Sequence, residues 1–383
     1  MGARKIEAWH KAGVIDAATR DRLIAYEAAN ARPIALWALF GIGALAIALG
    51  LVSVVAANWE EIPGTLRLGV HLALIGTALG VLWRSEDTLA ASTPWAAEAL
   101  VFITAALGLT FFGHVGQVYQ TASPIWQPLG AWLVLFAPLL LTSGRGWPVA
   151  GALMSVLVWM VWDYADRTAS LPGAGLALSV IMWLALITAL PVLVAPLGAW
   201  GRHGLARAEF WRRLEQAGLA YAVAGASFAA VLASMDALTR TEALASPPAM
   251  VLRGVIAVVA GLALAGLRRG VSGRMAGAIV AGAGVATPLA LLASGSDIAA
   301  AALFMVLWAG IAAAALKAGW RGVFQLAVGV IALRLIILSF ELASDLLLSG
   351  FGLILSGVLI LGIGWAALKI SRRLAPQAAE EGP

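Results

Sequence analysis

Residues 298–316 read IAAAALFMVLWAGIAAAAL, a run with no charged, amide or hydroxyl side chain. A helix needs about 20 residues to cross a bilayer's hydrocarbon core, and this run supplies nearly that many before Lys317 and Arg321. The pattern recurs along all 383 residues, 62% of which are apolar and only 12% charged. Soluble domains lie nearer about 45–50% apolar and 25% charged. Twelve spanning helices take roughly 240 residues and leave loops of about nine residues each, too short for an inserted soluble domain. The composition therefore predicts an all-α, polytopic, integral membrane helical bundle.

The expected spans are 34–57, 66–83, 96–113, 128–142, 147–165, 174–198, 216–235, 249–267, 275–294, 298–316, 321–340 and 350–370. They organise the chain into an amphipathic segment 1–33, a first membrane half 34–198, a basic loop 199–215, a second half 216–370 and a tail 371–383. Pro191 and Pro196 fall inside the sixth span, where proline kinks a helix and neighbours re-satisfy the freed carbonyls. Trp59, Trp83, Trp95, Trp126, Trp147, Trp162, Trp200 and Trp320 mark span ends, where indole favours the interface.

Basic residues set the orientation. The N-terminal segment holds Arg4, Lys5, Lys11, Arg20, Arg22 and Arg32. Alternate loops then carry Arg84, Arg145, the group Arg202, Arg207, Arg212 and Arg213, the group Arg268, Arg269 and Arg274, and Lys317 with Arg321; the tail adds Lys369, Arg372 and Arg373. The opposite side holds Arg67, Arg167, Arg240 and Arg253. This asymmetry predicts both termini in the cytoplasm. It also accounts for the net charge of +5 and the pI near 10 without nucleic acid.

The first 33 residues read as a cytoplasmic helical hairpin. Ile6 and Trp9 lie three apart, Gly13 breaks the first helix and Asp16 caps a second that carries Leu23 and Tyr26. The segment lacks the apolar core and small-residue cleavage site of a signal peptide. It also lacks the third helix of a DNA reader, so the expected partners are membrane lipids and a protein docked at the hairpin.

The hairpin IEAWHKAGVIDAATRDRLIAYE (6–27), the stretch ANWEEIP (57–63) and the stretch GHVGQVYQ (113–120) resemble the bacterial predicted membrane protein family called domain of unknown function 2157. The matching positions are Trp9, Gly13, Ile15, Asp16, Leu23 and Tyr26; Asn58, Trp59 and Pro63; and Gly116, Gln117, Tyr119 and Gln120. Arg334 in a late span, before a Gly-rich last span and a basic tail, is a less specific likeness. The resemblance implies a bacterial inner-membrane protein and no established activity.

Ionisable groups at membrane depth cost several kcal/mol unless paired or hydrated, so each marks a candidate site. Arg334 lies past the middle of its span. Glu341, seven residues on, shares its face, and Asp345 follows at i+4. The separation of Arg334 and Glu341, about 10 Å along the axis, is long for a direct pair and suits a polar stripe. His114, Gln117 and Gln120 recur every three residues and share a face if their helix continues. Tyr119 follows beside them, before a turn rich in Pro and Trp that is able to re-enter the membrane. Asn58, Glu60 and Asp163 place further oxygens on the same outward side, without any EF-hand spacing.

His71 and His114 fall at similar depth, but two isolated His are weak evidence for bis-histidine haem, and no cofactor or metal is expected. Glu98 reads as a carboxylate favoured by its own helix N-terminus. Gly76 with Gly80 and Gly273 with Gly277 have the GxxxG spacing of closely packed helices. Cysteine is absent, which removes disulfides and thiol nucleophiles. P-loop, HExxH and G-x-S-x-G patterns are also missing, so the chain is not expected to be a standard hydrolase or a nucleotide-driven pump. The leading reading is a transporter or flippase-like protein for a small or lipid-linked solute. Its rivals are a scaffold or sensor docking through the hairpin, and a lipid-modifying enzyme.

Overall fold

The structure, a computed structural model, describes residues 3–29, 61–170, 177–235, 238 and 245–342, with isolated positions 358, 361–363, 365 and 369. Every regular element among them is helical. Two short helices, α1 (Ala3–Lys11) and α2 (Ala17–Ala29), precede α3 (Gly64–Ser92), α4 (Pro94–Tyr119), α5 (Trp126–Ser143) and α6 (Trp147–Ala169). Next, α7 (Leu178–Ala189) passes through a 3-10 turn (Leu190–Leu193) into α8 (Val194–Gly204). The series ends with α9 (Ala208–Ser234), α10 (Pro247–Leu267), α11 (Gly270–Ala293), α12 (Asp297–Ala318) and α13 (Arg321–Leu342).

With α7 and α8 taken as one interrupted span, ten of these segments are long and apolar enough to cross a membrane. They coincide one for one with the second to eleventh expected spans. The expected span 34–57, the tail 371–383 and all but the isolated positions of the expected span 350–370 lie outside the described residues. Large apolar side chains point outward along the helices, Val134 at 77%, Val306 at 70% and Leu292 at 83% exposed. That surface suits a lipid solvent, which does not penalise it as water does.

The chain forms two compact units, 1–67 and 68–383. In the first, Gly13 takes a left-handed φ of +69° and ends the first turn system, with the Val14 amide donating to Trp9 O at 3.0 Å. Asp16 caps α2, its Oδ1 accepting from the Thr19 amide at 2.7 Å. Hydrogen bonds from the Thr19 side chain and amide hold the Asp16 carboxyl below its ordinary value. Both residues act as their sequence positions indicate.

Among its described residues the second unit holds three apolar clusters, a small one that includes Ala229, Ala233, Met250 and Ala290, and two larger. One joins α3, α4, α5 and α6 through Leu82, Val101, Trp132, Leu140 and Val149, and receives Phe210 and Leu214 from the start of α9. The other joins the 3-10 turn and α8 through α13 and is built mostly from Ala, Val and Ile. Within it α10 and α11 run with their backbones touching. A Cβ on Gly254 would meet Gly284 O, and one on Gly261 would meet Gly277 O. The seam thus has seven-residue spacing on each helix. The expected GxxxG pairs do not make it: Gly76 and Gly80 meet no neighbour among the described residues, Gly273 abuts the Arg268 carbonyl, and Gly277 alone of the four belongs to the contact.

Polar side chains tie the basic ends of the helices. Glu98 on α4 caps a helix two further along the chain: it accepts from the Arg145 amide at 2.7 Å and the Val149 amide at 3.1 Å, at the start of α6. Its sequence neighbour Thr93 makes no side-chain cap of α4, and the carboxylate instead serves donors brought close by the α5–α6 turn. Arg207, itself at φ +63°, donates to Leu141 O and Gly144 O and so closes the C-terminal end of α5. Burial, and then the adjacent Arg145, hold its guanidinium below its ordinary pKa.

Candidate functional site

Pro191 has no N–H to offer the carbonyl of Thr188, three residues earlier in the 3-10 turn. Tyr221, the middle residue of α9, donates its hydroxyl to that carbonyl at 2.6 Å. Trp162 Nε1 on α6 donates in turn to the Tyr221 hydroxyl at 2.9 Å. Arg253, seven residues into α10, donates from Nε to Thr188 Oγ1 at 2.9 Å and stacks its guanidinium 5.5 Å from the centre of the Trp162 ring. Three spanning segments and the broken one thus converge on a single polar frame at the helix interruption.

The frame forms one wall of a cavity of about 480 Å³. Val192, Ala226, Ala229 and Leu232 supply apolar lining, with Thr287 contributed by α11. Ligand cavities in proteins have this character, a mostly apolar enclosure with a few placed polar groups. Sequence reasoning missed the site because Arg253 was counted with the outward bases. Its position inside the span 249–267 was the available signal, the same one that singled out Arg334.

Arg334 is buried on α13 and pairs directly with Glu341, Nη1 to Oε1 at 2.9 Å. The 10 Å axial estimate ignored side-chain direction. Helical side chains lean toward the N-terminus, so Glu341 reaches back toward Arg334. Asp345, Asn58 and Glu60 lie outside the described residues.

His114 is buried and its Nδ1 lies 3.2 Å from Nδ1 of His71, whose Nε2 lies 2.9 Å from Leu107 O. A carbonyl only accepts, so His71 carries its proton on Nε2 and His114 donates from Nδ1. Gln117, Tyr119 and Gln120 do not extend this buried face. The helix ends at Tyr119, and Gln120 adopts a left-handed φ of 52° as its C-cap, with Nε2 turned back to Gln117 O. The break diverts Gln120 from the shared face. Gln117 and Gln120 instead border an outer crevice with Ser123 and Gln127, and a short link leads directly to α5. Asp163 caps α5 from α6, its Oδ2 accepting from the Trp126 amide at 2.9 Å, and it lies 3.8 Å from Arg167. Among the described residues no three His, Asp or Glu side chains gather as a metal centre would require.

A second buried charge cluster lies at the basic ends. Glu215 on α9, almost fully enclosed, pairs with Arg268 at 2.7 Å and Arg202 at 3.3 Å. Arg268 also bonds Ser272 and stacks over Trp320. The cluster ties α8, α9, α10 and α11 to the link between α12 and α13.

The family model described as predicted membrane protein (DUF2157) matches residues 7–149, the part of the chain that carries the hairpin and the GHVGQVYQ stretch. The cavity around Arg253 is built mainly from residues beyond that match. No curated protein and no solved structure matches the chain.

Proposed function

We propose that this multi-pass membrane protein is a carrier of the bacterial inner membrane, with both termini in the cytoplasm, and that it moves a small or lipid-linked solute through the Arg253 cavity. One observation carries the reading: a ligand-sized cavity lies beside a helix interrupted near the middle of its span. Carriers place their sites at such interruptions, because a broken helix frees backbone groups and supplies a point of bending. Basic residues concentrated at alternate helix ends support the orientation.

The natural absence of cysteine gives a background-free test of that orientation. Ser123→Cys lies in the link after α4 and His203→Cys at the end of α8, both exposed. In intact cells a membrane-impermeant maleimide is expected to modify the first and spare the second, with both reacting after the membrane is opened. The reverse labelling would invert the topology. The rival scaffold reading requires that the cavity never open to water on both sides of the membrane.

A further inference from the structure

Among the described residues that line the cavity, Arg253 carries the one charge. It is held at the wall by the Thr188 hydroxyl and the Trp162 ring, and Tyr221 bonds the same two residues at the Thr188 carbonyl and the Trp162 Nε1. From that frame Ala222, Gly225, Ala229 and Leu232 continue along one face of α9 at helical spacing, all lining the cavity. The ten helical steps from Ala222 to Leu232 make this stripe about 15 Å long, the reach of a medium-length acyl chain. Gly225 presents no side chain there, and the space beyond its Cα is open.

We propose that the cavity binds a single-chain amphiphile with an anionic head, a carboxylate or a phosphate, seated on Arg253 with its chain along the α9 stripe. The proposal rests on reading the cavity as the solute site. A planar guanidinium matches the oxygens of either head in bidentate fashion. A guanidinium attracts an anionic head and repels a cationic one, and a neutral head gains only the weaker uncharged hydrogen bond. The apolar walls accept the chain and disfavour a wholly polar solute.

The test uses the full-length protein in nanodiscs of zwitterionic lipid, with tritiated dodecanoate as the probe. Saturable binding is expected, displaced by dodecyl phosphate, and displaced about tenfold or more less effectively by dodecanol and by dodecyltrimethylammonium. Arg253→Gln is expected to weaken dodecanoate to the level of dodecanol, and Arg253→Lys to retain part of the preference. Gly225→Leu fills the open space and is expected to abolish binding of every probe. Thermal melting of each variant confirms that it is folded.

Two results would overturn the proposal while leaving the cavity as a solute site: dodecanol competing as well as the anions, or folded Arg253→Gln binding dodecanoate like the natural chain. A third result reaches deeper. If no probe binds saturably, or if folded Gly225→Leu binds all of them unchanged, the reading of the cavity as a solute site fails with it.

Discussion

Gly261→Leu is expected to cost about 3 kcal/mol or more, at or beyond the upper end of overpacking penalties, and to abolish monodisperse protein after detergent extraction. A Cβ at this position would meet Gly277 O and the backbone nitrogen of Ala281, neither of which is a flexible side chain that can move aside. The two backbones must therefore separate along their whole seam, which also loses the close contact between Gly254 and Gly284. Arg253 is the neighbour of Gly254, so separation also displaces the guanidinium from Thr188 and Trp162. Gly282→Leu is the matched control on α11. Its added side chain enters open space at an exposed position, and the expected change is within about 0.5 kcal/mol. Thermal melting of the three proteins in one detergent checks the difference; equal melting would show that the seam does not carry the fold.

Glu215→Gln is the second large effect, with an expected loss of about 3–5 kcal/mol, the usual consequence of removing one partner from a buried charge cluster. The carboxylate is 1% exposed and lies between two guanidinium groups that are themselves mostly covered. Without it, Arg202 and Arg268 repel one another where water reaches them poorly. Glu209, only six residues earlier, pairs with Arg212 and Arg213 but is about half exposed. Glu209→Gln is expected to cost less than about 1 kcal/mol. A double replacement, Glu215→Leu with Arg268→Met, should recover part of the loss, since apolar packing often replaces a buried ion pair without penalty. The readout is again the melting temperature, with nanodisc yield as a second measure.

The spanning helices were legible because the bilayer imposes length and apolarity on each segment independently of its neighbours. Residues 298–316 can be assigned without knowing anything else about the chain. Gly13 and Asp16 were legible for a similar reason, since a helix stop and an N-cap are local devices. Properties that depend on which helices meet were not. The Gly254–Gly284 and Gly261–Gly277 contacts come from two different helices, so neither strand of sequence shows the other half. The GxxxG pair visible at Gly76 and Gly80 meets no partner among the described residues.

Side-chain reach separates the remaining cases. Arg334 and Glu341 share a helix, and their face was readable from spacing, but the direct bond needed the backward tilt of helical side chains. Asp163 and Glu98 were recognised as carboxylates near membrane boundaries. Their roles as caps of α5 and α6 required knowing which helix start folds against them. Arg253 was the costliest omission. A base close to a span end looks like an orientation signal, and only the positions of Thr188, Tyr221 and Trp162 reveal it as part of a polar frame. Pro191 was noted as a kink, yet its consequence, a Thr188 carbonyl served by a tyrosine from another helix, is a tertiary event.

The central claim is that the cavity beside the 3-10 turn opens to water on each side of the membrane in turn. A single cysteine at Gly225, in the otherwise cysteine-free chain, reports this directly in oriented proteoliposomes. The account predicts modification by an impermeant maleimide added to either face, slowed from both by saturating dodecanoate, while Val306→Cys, on an outward-facing position near the middle of α12, stays unreactive. A Gly225→Cys protein that is folded but unreactive from both faces would contradict the carrier account and leave the protein as a sealed bundle with a scaffold's role.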